Sequence, residues 1–168
     1  GLYCALLALE IGPGDEVLVP DMTFIATANA VIMAGAKPVL CDIDQHSLGI
    51  SIKSLSSKLS NKTKAIMPVH LYGNTAEMDF ILKFAKEHNL KVIEDASQGV
   101  GVHYKGRHVG TFGDIGVLSY YGNKTITTAE GGMIITNDED LAKICYRLKN
   151  HGRDQKGSFK HEYIGFNF

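Results

Sequence analysis

Short apolar runs alternate along this chain with longer stretches in which apolar positions recur every three or four residues, the pattern of strands alternating with helices. It predicts an α/β fold, a sheet with helices packed on its faces. Residues 2–9 are continuously apolar and rich in Leu and Ala, and they stop at Gly12-Pro13-Gly14, which predicts a buried opening helix. Residues 16–19 read as a strand closed by Pro20. Thr23 is expected to cap a second helix reaching Met33, with Gly35 ending it. Residues 38–43 form the next predicted strand, 51–59 a helix with Ile52, Leu55 and Leu59 at helical spacing, and 64–69 a strand running into His70-Leu71-Tyr72-Gly73. Residues 77–88 put Met78, Ile81, Leu82 and Ala85 on one face with lysines opposite, an amphipathic helix. A strand at 91–93 ends in Glu94-Asp95. Beyond it, 102–104 and 108–110, joined by Lys105-Gly106-Arg107, predict a hairpin; 116–120 and 133–136 predict two strands, and 138–150 a closing helix. No linker, internal repeat or low-complexity stretch divides the chain.

Composition narrows the partners. The 168 residues suit one globular domain, and 17 Lys and Arg against 18 Asp and Glu leave a net charge of −1. Scattered lysines on a nearly neutral chain exclude a nucleic-acid footprint. The longest apolar stretch, 26–36, is broken by Asn29 and Gly35 and falls short of the roughly 20 residues that span a bilayer, so a soluble protein is expected. Cys4, Cys41 and Cys145 are odd in number and flanked by apolar residues, with no CxxC pair; they read as buried thiols in a reducing, cytoplasmic compartment. No histidine lies three or four residues from another His or Cys on a plausible helix, so no metal site is expected. The first residues carry neither an initiator Met nor the cationic start of a signal peptide, and both ends read as cut.

Open α/β sheets bind ligands at the carboxyl ends of their strands, which directs attention to polar residues just after the predicted strands. Three places qualify: Glu94-Asp95-Ala96-Ser97-Gln98; the Gly- and hydroxyl-rich run from Ser119 through Gly122-Asn123-Lys124-Thr125 to Thr128; and Glu130-Gly131-Gly132, whose paired glycines imply close backbone approach or φ > 0. Each alone has an ordinary structural reading as a cap, a solvated lysine or a turn. Together they match the needs of pyridoxal phosphate: a lysine to form a Schiff base with its aldehyde, a carboxylate for its ring nitrogen, and hydroxyl and backbone donors for its phosphate. Lys124, Asp95 and Ser119 supply that set.

Thr23-Phe24-Ile25-Ala26-Thr27, Gly35-Ala36-Lys37-Pro38, Glu94-Asp95-Ala96-Ser97-Gln98 and Gly122-Asn123-Lys124-Thr125-Ile126-Thr127-Thr128-Ala129-Glu130-Gly131-Gly132 follow one another as they do in a single family. The chain resembles the DegT/DnrJ/EryC1/StrS sugar aminotransferases over essentially its whole length, nearest their perosamine-synthase-like branch. The resemblance implies a fold type I large domain, with a mainly parallel sheet and helices on both faces. It also implies amino transfer from an amino acid, usually glutamate, to a nucleotide-linked keto sugar, at C4 of a 4-keto-6-deoxyhexose in that branch.

By the same resemblance Lys124 carries the cofactor and moves the proton, and Asp95 pairs with the ring nitrogen. Gln98 lies near the phenolic oxygen, Ser119 binds the phosphate and Phe24 stacks on the ring. Asn167, in Gly165-Phe166-Asn167, reaches the phosphate in the neighbouring subunit, implying a homodimer.

The resemblance also implies a partial large domain over 1–168. The Gly-Thr segment before the first helix and the small C-terminal domain lie outside it, and Ala129 stands where relatives near this branch usually carry Gly. Lys124 argues against the family's dehydratases, which replace that lysine by His, and the intact trio argues against a non-catalytic sensor. Gly99-Val100-Gly101 lacks the third glycine of a dinucleotide fingerprint. His70, His151 and Arg153 are each open to two readings, a contact to the sugar or a structural role; Tyr120 and Tyr121 either pack or line the cleft.

Overall fold

The computed structural model describes residues 1–154 and 159–167. Among these the chain runs α1 (Leu2–Ala8), β1 (Glu16–Pro20), α2 (Ala26–Met33), β2 (Lys37–Cys41), α3 (Ile52–Lys58), β3 (Thr63–Ile66), α4 (Met78–Glu87), β4 (Lys91–Asp95), the short pair β5 (His103–Tyr104) and β6 (Arg107–His108), β7 (Ile115–Ser119), β8 (Gly132–Ile135) and α5 (Glu139–Lys149). One six-stranded sheet has the order β2-β1-β3-β4-β7-β8, parallel throughout except for β8, which returns antiparallel beside β7.

The strands are apolar on both faces because both faces are covered. Along β1, Val17 and Val19 point into a core shared with α1, α2 and Cys145 of α5, whereas Leu18 between them joins the opposite core with Leu55 of α3 and Ile81 of α4. This is the expected helix-on-both-faces arrangement.

Most predicted elements are present, with their ends moved. Thr23 does not cap α2: the cap position falls on Ile25, with no side-chain bond, and the Thr23 hydroxyl instead meets that of Thr27 at 2.8 Å. Gly35 ends that helix as expected, at φ +82°. The predicted strand end at 43 shrinks to Cys41, with Ile43 left in an isolated bridge to Ile50. The hairpin turns on two residues rather than three, because Lys105 and Gly106 both take positive φ and close a tight loop whose twist matches its strands.

Parallel pairing collects the strand ends on one edge. Asp95 pairs with Val117, so Asp95 closes β4 just where β7 approaches its own end at Ser119. The antiparallel return of β8 then pairs Ser119 with Gly132 and turns residues 120–131 into a loop standing on that edge.

Candidate active site

Asp95 is buried, and its backbone is tied on both sides: its N–H donates to Pro68, its carbonyl accepts from His70, and Ala96 N–H donates to Val117. Its carboxylate accepts from Ser97 N–H at 3.1 Å and from the Thr27 hydroxyl at 2.7 Å. A hydroxyl has one proton, and Thr27 gives its own to Asp95, so Thr23 must be the donor in the Thr23–Thr27 contact. The result is a one-way relay, Thr23 to Thr27 to Asp95, that holds the carboxylate as an acceptor. No lysine, arginine or histidine pairs with Asp95 among the described residues. Sequence reasoning missed Thr27's part in this relay. Its one local signal is a second threonine a helical turn after Thr23, on a position facing inward.

Glu94, the preceding carboxylate, has a separate job. It is wholly buried and accepts four donors: His70 Nε2 at 3.0 Å, and the backbone N–H groups of Gly110, Phe112 and Gly113 at 2.7, 2.6 and 2.7 Å. Burial pushes its carboxyl pKa up, but the His70 bond and the N–H groups of Gly113 and Gly110 outweigh that and hold it below the ordinary glutamate value. Ala76 N–H donates to His70 Nδ1 at 3.3 Å, so Nδ1 must be bare and the ring proton sits on Nε2, facing Glu94. His70 is therefore structural, wholly buried and unable to meet a sugar.

Lys124 lies in the 120–131 loop, half-buried, with its backbone N–H on Tyr121. The loop is braced from within. Tyr120 N–H donates to Gly131, Thr128 N–H and Thr127 Oγ1 both donate to the Tyr120 carbonyl, and Thr128 Oγ1 donates to Glu130. Both glycine expectations hold: Gly131 sits at φ +143°, and a Cβ on Gly132 would meet the Leu118 carbonyl at 2.7 Å. Ala129 adopts φ +68°, a conformation suited to glycine.

A cleft of about 420 Å³ is lined by Tyr72, Ser97, Gln98, Asn123, Lys124 and Thr125, among others. It brings Lys124 and Gln98 together, and among the described residues the Lys124 ammonium makes no hydrogen bond or ion pair. Ser119 sits at the end of β7, its Oγ accepting from Tyr121 N–H at 3.3 Å. Phe24 is 69% exposed, in the segment between β1 and the helix whose Thr27 holds Asp95. Asn167 is exposed and bridges Asn150 beyond α5; no described contact ties it to the cleft. His151 is exposed at φ +56°, and Arg153 is half-buried with Nε on the Asn150 carbonyl. Tyr120 packs into the core, its hydroxyl donating to Met133 Sδ, whereas Tyr121 is half exposed. A depression of about 400 Å³ on α5, lined by Ala142, Lys143, Tyr146, Arg147 and Asp154, holds none of the candidate residues. Among the described residues no group of three or more His, Cys, Asp or Glu is arranged to hold a metal, and no helix is long and apolar enough to cross a membrane.

A mainly parallel sheet with helices on both faces, carrying a buried carboxylate, an unpaired lysine amine and a donor-rich loop on one edge, has the architecture of an α/β protein that binds its ligand at the strand ends. The chain belongs to the DegT/DnrJ/EryC1/StrS aminotransferase family, whose model matches residues 1–168. It is 48% identical over 167 residues to a GDP-perosamine synthase of Escherichia coli O157:H7, covering 99% of this chain and 46% of that protein. It is 46% identical to a UDP-N-acetyl-3-dehydro-alpha-D-glucosamine 3-aminotransferase of Acidithiobacillus ferrooxidans, covering 99% of this chain and 45% of that one. The crystal structure of NtdA from Bacillus subtilis with bound cofactor PMP superposes at a TM-score of 0.90 with 38% identity, covering 99% of this chain and 38% of that chain. The chain thus spans less than half the length of these relatives, and the family and fold class expected from its motifs are those found.

Proposed function

We propose that this chain is the cofactor-binding part of a pyridoxal-phosphate-dependent aminotransferase that moves an amino group from glutamate to a nucleotide-linked keto sugar. The observation that carries this reading is that a buried, relay-held Asp95 closes β4 while the loop after the neighbouring β7 carries Lys124 in the cleft beside Gln98, its amine making no hydrogen bond or ion pair among the described residues. The residues fit the group. Asp95 is a buried carboxylate held by two neutral donors, the Thr27 hydroxyl and the Ser97 N–H, and is the kind of acceptor that a protonated ring nitrogen needs. When bound, the cofactor supplies an aldehyde that takes up the amine and a ring that draws electron density from the reacting carbon.

The chain's residues do the rest. Asp95 keeps the ring nitrogen protonated, and Thr27 keeps Asp95 aimed. Lys124 Nζ would hold the cofactor's aldehyde carbon and would take and return the proton at the carbon that gains or loses the amino group. Gln98 offers its amide to the ring's phenolic oxygen, Ser119 its hydroxyl to the phosphate, and Phe24 its ring to the face of the pyridine. Asn167 belongs at the neighbouring subunit's phosphate, in a homodimer. Residues 1–168 form a partial large domain, completed in the whole protein by an N-terminal segment and a small C-terminal domain. The buried free thiols support a reducing, cytoplasmic setting.

Likeness to a perosamine synthase favours amination at C4 of a 4-keto-6-deoxyhexose, and likeness to a 3-aminotransferase at almost equal identity makes the carbon a matter for assay. The test uses the full-length protein and a Lys124→Ala variant, each titrated with pyridoxal phosphate. The expected result is a visible absorbance band that is lost in the variant and that glutamate discharges. A band that survives in the variant overturns the role of Lys124. Incubation of the discharged enzyme with nucleotide-linked 3-keto and 4-keto sugars then identifies the carbon.

A further inference from the structure

Tyr72 is the odd residue of the cleft. Its backbone sits at φ 53°, ψ 29°, the left-handed region in which a bulky side chain is sterically strained. Packing does not explain the strain, since the residue is 73% exposed. What the conformation delivers is an N–H: it donates to Oε1 of Gln98 at 2.7 Å, and both residues line the cleft that holds Lys124. An N–H can be received only by the oxygen of a carboxamide, so this one bond decides which way the amide faces. Its acceptor is committed to Tyr72, and among the described residues its Nε2 makes no hydrogen bond. The cleft is therefore offered a donor beside the lysine.

We propose that Tyr72 is a positioning residue, whose strained turn locks the Gln98 amide so that Nε2 donates to an acceptor oxygen of the bound group beside Lys124. This deepens the cofactor reading and rests on it: the acceptor is then the ring's phenolic oxygen, whose ionised form the donor stabilises. The reason for a left-handed residue at 72 lies in its main chain and not in its phenol.

The experiment titrates the full-length protein with pyridoxal phosphate alone and follows the pH at which the bound cofactor's visible absorbance changes. Replacing Tyr72 by its α-hydroxy acid analogue removes the N–H and weakens the Leu71 carbonyl that accepts from Asn74 N–H; it is expected to weaken cofactor binding about tenfold and to raise the transition pH. Gln98→Glu keeps an acceptor for Tyr72 but removes the donor and adds a charge, and it is expected to raise the transition by about one unit or more. Tyr72→Gly keeps the N–H, suits the positive φ and is expected to hold the wild-type transition. A wild-type transition in the analogue, or a shift in Tyr72→Gly equal to the analogue's, overturns the proposal. If the analogue does not fold by circular dichroism, the contrast between Gln98→Glu and Tyr72→Gly decides, and equal transitions in the two overturn it. Failure of the underlying reading shows separately, as a wild-type protein that develops no visible band at all.

Discussion

Glu94 and Asp95 are adjacent and chemically alike, yet they do different work, because successive side chains of a strand point to opposite faces. Glu94 turns inward to gather His70 and the 110–113 backbone; Asp95 turns to the relay from α2. Glu94→Gln replaces an all-acceptor group by one whose NH₂ faces backbone donors, and a loss of about 1–3 kcal/mol is expected in urea unfolding of the full-length protein. Its pH dependence has a definite sign. Because the folded carboxyl titrates below the ordinary glutamate value, its stabilisation is complete above that value and drains away as pH falls through the folded one. The wild-type protein is therefore expected to lose stability over that acidic window more steeply than Glu94→Gln. Sequence motifs put Asp95 forward as a candidate, and the structure shows it buried and held by Thr27 and Ser97. The motifs left His70 between two roles, since burial and the Ala76 donor become visible only once β3 and β4 are side by side, and they missed Thr27's role because its partner lies at the end of a different strand.

At the scale of elements, the helices and strands were legible because both faces of the sheet are covered, which makes strands read as unbroken apolar runs and helices as periodic ones. Their ends were less so. Thr23 has the right residue type for a cap, but it serves Thr27 instead and the helix starts later. The 120–131 loop was read correctly as Gly- and hydroxyl-rich, while its internal bracing, threonine hydroxyls on backbone carbonyls, has no signature beyond composition. One residue in it departs from its conformation's preference. Ala129 holds φ +68°, so Ala129→Gly is expected to raise stability by up to about 1 kcal/mol, read as a small rise in thermal midpoint, with cofactor affinity unchanged.

Over the described residues, large apolar side chains remain uncovered on α2, at its cap residue Ile25 and on the edge strand β2, including Ile32, Met33 and Leu40. A surface of this kind seeks a partner. The 168 residues expressed alone are expected to self-associate with rising concentration in sedimentation velocity, and the full-length protein to show a fixed stoichiometry over the same range. Burial makes one thiol quiet: Cys41 is fully buried, and burial pushes it up to about 11, so iodoacetamide at pH 8 is expected to leave it unmodified until the protein unfolds.

The antiparallel return of β8 has a wider consequence. A crossover to a distant strand would make the segment carrying Lys124 part of the sheet's own wiring, so that any insertion in it changed the spacing of the strands it joins. Here the segment leaves Ser119 and comes home to its pairing partner Gly132. It is a closed detour, which can grow, shrink or be redecorated around a fixed lysine without disturbing the sheet. The strand ends that fix Asp95 and Ser119 are therefore insulated from changes in the length of the loop that begins and ends beside them.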